Sequence, residues 1–343
     1  MEIKILKDIN EFKDLEESWN KLYDRMNNKA VFQSFDFNYY SWLYELKNDK
    51  NILTLTAVYD ETDLTAVFPF YIDNRGTLRF INDNHTDFCD CLSSSQFDLN
   101  VLLHKLKLEF SINRFNFLNL KYDAKILENI KVSSLVRCTP SGEYSILELR
   151  KGIFPDNVAE YKSKQKTEFR RILKKNKEKT HEIVSANNSL FPSKEIKFLR
   201  EKMIALGIRD NRFLPISQLK LIEKLYQKGK IILSVVRTQK TINAMSFIIK
   251  DSDQYLIWID MYDKSKMINI FNYVSLVTLL SSNRSVSINF GRGTYSYKVL
   301  NFLPERKDLF LLQIFSSRWQ VLKYNLESNI IEFLRVIYKR VKK

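Results

Sequence analysis

IILSVVRTQKTINAMSFIIKDSDQYLIWIDMY, residues Ile231–Tyr262, reads as three strands in succession. IILSVVR starts at Ile231, a TQKT turn leads into INAMSFIIK from Ile242, and QYLIWIDMY starts at Gln254. Each run is rich in β-branched and aromatic residues and ends in polar residues that turn the chain. Working outward, helical patterns near 194–207 and 217–228 precede this stretch. A helix near 271–282 and strands VSINF from Val286 and LFLLQIF from Leu309 follow it.

The first half repeats the order. Helical patterns near 11–24 and 35–47 lead to ILTLTAVY from Ile52, a DETD turn, LTAVFPFYI from Leu64 and TLRFI from Thr77. A helix near 97–109 and strands FNFLNL from Phe115 and YSILEL from Tyr144 close it. The repeat is one of pattern, not of residue identity, so it implies a duplicated fold and says little about a duplicated function. Two helices, an antiparallel hairpin, a further strand, a helix and a closing strand make a mixed α/β (α+β) unit. The expected organisation is a unit at 1–155, a basic connecting helix at 156–182, a second unit at 183–315 and an amphipathic basic helix at 316–343.

At 343 residues, 45% hydrophobic and 13% aromatic, the chain can build two cores. No window approaches the ~18 apolar residues of a spanning helix, and MEIKILKDINEF lacks the apolar stretch of a secretory signal. Cys89, Cys91 and Cys138 are odd in number and without C-x-x-C spacing, which points to a reducing cytoplasm and away from a disulfide framework or structural zinc. Cys89 and Cys91 are either small core hydrophobes or a redox or metal pair. The net charge of +15 is concentrated, with +7 in residues 161–180 and +5 in residues 316–343. That distribution suits an anionic partner: a phosphate-bearing substrate, tRNA or a bilayer face, with DNA not expected.

SINFGRGTYSYK, Ser287–Lys298, places two of only 7 glycines around one arginine. Glycine permits positive φ and close approach to a ligand. Gly291, Arg292 and Gly293, followed by Tyr297 and Lys298, form either a strand end opening onto a site or a tight turn with its arginine in solvent. The histidines (His85, His104 and His181) are scattered, and there is no HExxH, triad spacing, Walker loop or GxGxxG. No metal site is expected.

GKIILSVV, TINAMSFIIK, QYLIWIDMYDKS and VSINFGRGTYSYKVLNF, in that order, resemble the BioF2-like (CelD-type) acetyltransferases of the GNAT superfamily, relatives of the Fem-type aminoacyltransferases. WNKLYDR, VFQSFDFNYYSWLYEL, PFYI and NDNHTDFCDCL extend the resemblance through the first half. It implies tandem GNAT-like units that transfer an acyl group from acyl-CoA, or another activated donor, to an amine such as an amino sugar or an envelope precursor. It also implies two parallel strands that splay, one ending at Asp260-Met261-Tyr262 and the other at Asn289-Phe290, so that the donor's amide arm adds to an exposed strand edge. On this pattern Asp260 accepts a proton or holds the amine, Lys298 stabilises negative charge, and Arg292 clamps a phosphate or carboxylate. Gly291 and Gly293 shape the donor site, while Tyr262, Asn289, Tyr297, His85 and Asp87 are candidate substrate contacts.

The chain departs from CoA-dependent relatives in having no glycine between Asp263 and Tyr273, where a glycine-containing loop usually holds pyrophosphate. Lys264 and Lys266 are the replacement candidates. The departure gives weight to a carrier protein or aminoacyl-tRNA as donor, with the basic helix of 161–180 gripping tRNA. A binding module without catalysis is the third reading. In the last segment Trp319, Leu322, Leu326, Ile330, Phe333, Leu334 and Ile337 form a helical apolar stripe. The expected use of that stripe is packing onto the second unit. Its terminal basic cluster could also meet anionic lipid at the inner membrane face.

Overall fold

The computed structural model describes residues 2–327 except 28, 49, 129, 131–132, 252–253, 265–266 and 294–300. In chain order the elements are β1 (Glu2–Leu6), α1 (Ile9–Asp14), α2 (Glu16–Arg25), α3 (Phe35–Ser41), β2 (Ile52–Leu53), β3 (Leu55–Asp60), β4 (Asp63–Phe68), β5 (Phe70–Ile72) and β6 (Thr77–Phe80). Next come β7 (Leu92–Ser93), α4 (Leu99–Glu109), β8 (Arg114–Leu120), α5 (Lys125–Glu128), β9 (Val136–Leu149), α6 (Ser163–Lys175), β10 (Lys179–Val184), α7 (Ser193–Ala205) and α8 (Ile216–Gln227). The last are β11 (Ile231–Thr238), β12 (Thr241–Asp251), β13 (Gln254–Tyr262), α9 (Ile268–Ser281), β14 (Val286–Arg292), β15 (Glu305–Phe315) and a helix, α10, described over 318–327.

The described residues divide into two compact units, one drawn from 1–27, 46–141 and 309–343 and the other from 28–45 and 142–308. In the first, β1, β3, β4 and β7 pair antiparallel. β2, β5 and β6 form an antiparallel ladder, β6 and β8 are parallel, and β8 pairs antiparallel with β15. α4 is started by Asp98, whose carboxylate accepts from the Asn100 and Val101 amides. Its Leu99, Leu102, Leu103 and Leu106 enter a core shared with Phe70, Phe80 and Phe117. Cys89 and Cys91 are buried in the same core as small hydrophobes.

In the second unit β10, β11, β12 and β13 run antiparallel, β13 and β14 are parallel, and residues 144–149 of β9 pair with β14. α9 is buried along most of its length, because Tyr273, Val274 and Val277 join the core beside Ile257 and Ile288. Phe169 and Ile172 of α6 are buried in that core too. The charged stretch is therefore a docked helix with a basic outer face, and it stops at Lys175. Lys179–Glu182, read as the end of the connecting helix, instead open the edge strand β10, along which half-buried and exposed side chains alternate from Lys179 to Ile183.

Three segments sit where the repeat did not put them. YSILEL, read as the closing strand of the first repeat, pairs with β14 in the second unit, while LFLLQIF returns to pair with β8 in the first. The helix after Phe35 also belongs to the second unit, where Phe32 and Phe37 pack edge-on against Trp258 and Lys228 pairs with Asp36 at 3.8 Å. Periodicity marks a face that must be covered but not what covers it. The described turns of α10 likewise pack on the first unit, not the second: Tyr324 lies 5.5 Å from Phe315, and Arg137 donates to Asn325 at 2.7 Å.

Candidate active site

β13 and β14 begin as a parallel pair and then part. The pairing runs Gln254↔Ser287, Tyr255↔Ile288 and Leu256↔Asn289, and it ends there. β13 continues to Tyr262 on β12, with Asp260 opposite Ser246, while β14 continues to Arg292 on β9. Each strand bends through a bulge. On β13 the register shifts around Trp258, and on β14 it shifts between Asn289 and Arg292. An extra residue in one strand increases local twist, so two bulges at the same level separate the strands.

The glycines make the second bulge. Gly291 has φ 72° and Gly293 φ 97°, values that strain any side chain. The Gly291 amide donates to Asn289 Oδ1 at 2.9 Å and the Gly293 amide to the Glu143 carbonyl at 2.8 Å. Asn289 is fully buried, and its amide also approaches Gln254 at 3.4 Å. Its side chain thus holds the backbone of the bulge. Arg292 ends β14 half-buried.

Asp260 is half-buried at the far end of a polar row that crosses four strands. Ser246 Oγ donates to Asp260 Oδ1 at 2.7 Å, and Tyr273 Oη donates to Oδ2. Ser246 accepts from Asn272 Nδ2 at 2.9 Å, and Asn272 Oδ1 accepts from Ser234 Oγ at 2.7 Å. His181 Nε2 meets Ser234 Oγ at 2.8 Å. Because each hydroxyl has one proton, the chain has one consistent direction: His181 Nε2–H to Ser234, Ser234 to Asn272, Asn272 to Ser246, Ser246 to Asp260. Every donor points toward the carboxylate. Ser234, Ser246, Asn272 and Tyr273 are each at most 2% exposed, so an unmade bond in the row costs about 1–3 kcal/mol. Burial pushes His181 down to about 4, with Glu182 pulling weakly the other way, so the ring is neutral at pH 7 as the direction requires. An amide sits in the middle of the row and does not readily relay protons, so the row positions Asp260 and does not conduct.

Tyr262 packs against the core of the second unit, and Lys264 is exposed just beyond it. Asp263, between them, pairs with Lys202 at 3.3 Å and accepts from Asn243 at 3.1 Å. Met267 starts α9 at φ 61°, with no side chain capping the helix. Beside it lies a cavity of about 210 Å³ lined by Arg171, Ile172, Lys175, Asn176 and Met267. Lys266, Tyr297 and Lys298 lie outside the described residues.

His85 and Asp87 lie in the first unit, in the 81–90 turn. Much of that turn is structural: Arg79 holds Asp83 through two bonds of 2.9 and 3.1 Å. Asp90 accepts from the Lys125 and Ile126 amides, yet desolvation lifts its carboxyl to about 6. Asp260, Tyr262, Asn289, Gly291, Arg292, Gly293 and Lys264 all belong to the second unit. Ser234, Ser246 and Asn272 escaped the sequence reading. Their signal was a lone polar residue inside each of the apolar runs IILSVV, AMSFII and IFNYV.

No family model and no curated protein matches the chain. Solved structures do. The chain is similar to the C-terminal domain of a protein assigned as lysylphosphatidylglycerol synthetase from Agrobacterium fabrum, at 14% identity and a TM-score of 0.62 over 92% of this chain and 96% of that one. L-PGS from Bacillus licheniformis has a TM-score of 0.59 at 13% identity, covering 90% of this chain and 96% of that one. FemX has a TM-score of 0.60 at 11% identity, covering 94% and 99%. At such identities the likeness is one of fold: a mixed α/β, tandem GNAT-like and Fem-like architecture. Among the described residues no helix is long and apolar enough to cross a membrane.

Proposed function

We propose that the chain is an N-acyltransferase that moves an acyl group from an activated donor, acyl-CoA or another thioester or ester, to an amine. The observation that carries this reading is the ended pairing of β13 and β14, with Asp260 held by two donors on the diverging strand. The edge of β13 beyond Leu256 suits an amide-bearing donor arm that adds as a short strand. The start of α9, without a side-chain cap, suits the donor's phosphates, with Lys264 and Lys266 as further cations. The amine nitrogen attacks the carbonyl carbon, and Asp260 takes the proton that nitrogen sheds as the N–C bond forms. The tetrahedral oxyanion then collapses, the bond to the leaving sulfur or oxygen breaks, and the proton passes to that leaving group. In this reading Lys298 stabilises the developing negative charge, Tyr297 is a substrate contact and Arg292 clamps a phosphate or carboxylate. An amino sugar or a cell-envelope or polysaccharide precursor is the proposed acceptor, in keeping with the BioF2-like order of motifs.

A second reading, aminoacyl transfer from tRNA, is favoured by α6. Its exposed Arg171 and Lys175 line the cavity beside Met267, so a basic helix borders the start of α9. The test offers radiolabelled acetyl-CoA and charged tRNA separately, with a panel of amino sugars. Thiol release that needs both acetyl-CoA and amine, and is lost in Asp260→Asn, supports the first reading. Transfer from tRNA alone, with a steep salt dependence, supports the second. Wild-type protein that acylates no amine from either donor overturns both.

A further inference from the structure

α10 is turned the unexpected way round. Trp319, Leu322 and Leu326 share one helical face and are 72%, 54% and 64% exposed. The opposite face seats Tyr324 and Asn325 on the first unit. In the sequence Ile330, Phe333 and Ile337 continue the exposed face's spacing. Between α10 and the β6–β8 region lies a cavity of about 450 Å³, bordered by Arg75, Asn113, Arg114, Gln320, Lys323 and Glu327. Its three cations outnumber its one acid. The Arg114 guanidinium stacks over the Tyr324 ring at 4.9 Å, and its Nε is buried with no hydrogen-bond partner among the described residues. A buried guanidinium N–H left unmade is costly, and a phosphate oxygen is its natural acceptor.

We propose that this face docks the protein on a bilayer containing anionic phospholipid. Trp319, Leu322 and Leu326 enter the interfacial layer, and a headgroup phosphate occupies the neighbouring cavity against Arg114, Arg75 and Lys323. Tryptophan suits the boundary between headgroup and acyl chain, and an amphipathic helix with basic flanks lies in that plane. A second copy of the chain is a poor occupant. Residues 316–343 carry a net +5, so two such faces repel each other, whereas an anionic surface attracts them.

The test is co-sedimentation of the full chain with phosphatidylcholine vesicles, with and without phosphatidylglycerol, at low and high salt. Wild type pellets only with the phosphatidylglycerol vesicles, and salt releases it. Trp319→Asp with Leu322→Asp lowers the partition about tenfold or more, since each side chain loses its apolar transfer. Lys323→Gln and Arg75→Gln each lower it about fivefold. All four positions are exposed, so unchanged thermal melts confirm that the variants fold. Equal pelleting with phosphatidylcholine alone overturns the proposal, as does wild-type behaviour of the Trp319 and Leu322 double variant. Binding of inorganic phosphate without vesicle binding reduces the cavity to a soluble-anion site and overturns it too. A dimer that Trp319→Asp dissolves, with no pelleting of wild type, reassigns the face to a second copy.

Discussion

β6–β8 in the first unit and β13–β14 in the second are one construction with two outcomes. Each is a parallel pair whose strands are separated in sequence by a helix, α4 or α9, and each pairs over two or three residues before the regular ladder stops. In the first unit the chain itself bridges the strands. The Cys89 amide donates to the Asn119 carbonyl at 3.1 Å, and Asn119 Nδ2 reaches the Asp83 and Thr86 carbonyls at 3.1 and 2.8 Å. Phe117 stacks on Phe70 and meets Phe80, filling what remains with apolar rings. In the second unit the diverging strand carries a carboxylate with a supporting row of hydrogen bonds behind it. The two units share the order of elements and the early end of the parallel pairing. Side chains set them apart: one opening is stitched by Asn119, and the other holds the Asp260 carboxylate.

Replacing the aspartate of each copy tests that contrast most strongly. Asp260→Asn should lower the transfer rate by about 10²–10⁴, the range for a lost acid–base group, with little change in melting temperature. Asp83→Asn, which strips Arg79 of a buried partner, should cost about 1–3 kcal/mol of stability and leave the rate alone. Equal rate losses in the two variants would break the comparison.

The next effect is set by pH. The folded-state value of His181 is depressed to about 4 from 6.5, so the unfolded chain takes up a proton first as pH falls. Stability from this group is complete above pH 6.5 and is lost down to about pH 4, a span worth about 3 kcal/mol. Urea melts at pH 7 and pH 4 should therefore show a smaller difference in His181→Phe than in wild type. An identical difference would mean that the ring is not held neutral by the row.

Gly293→Val should cost about 1–3 kcal/mol, since φ 97° suits no branched side chain, and should depress transfer by disturbing the end of β14. A fully stable and active variant would remove the bulge from the site. Smallest is Ser234→Ala, three hydrogen bonds back from the carboxylate. It leaves Asn272 Oδ1 and the His181 ring without that partner, so it should cost about 1–3 kcal/mol of stability, but its effect on the rate is the smallest: kcat falls modestly and KM does not move. An effect on KM alone would make Ser234 a packing residue with no bearing on Asp260.

Much of the fold was legible because periodicity is local. The β-branched and aromatic runs in Ile231–Tyr262, the recurrence of their order in the first half and the glycine pair around Arg292 each depend on neighbours a few residues apart. The parallel strands bearing Asp260 and Asn289 could be placed from that order together with the family resemblance. Other features depended on residues far apart in the chain. Asn289 was a candidate substrate contact on the family resemblance; that its Oδ1 accepts from the Gly291 amide in the bulge was not readable from the sequence. Ser234, Ser246 and Asn272 looked like minor blemishes in apolar runs until three elements brought them into hydrogen-bond range of one another.

Sequence alone determined the classes of element, their duplicated order, the uneven charge and the special backbone at Gly291 and Gly293, since these follow from residue type and short-range spacing. Only the tertiary structure decided that YSILEL and LFLLQIF close opposite units, that the helix after Phe35 packs around Trp258, and that α10 turns its tryptophan outward. An apolar face states that it must be covered. Which surface covers it is settled by loop closure and complementary packing across long sequence separations, and no local pattern encodes those.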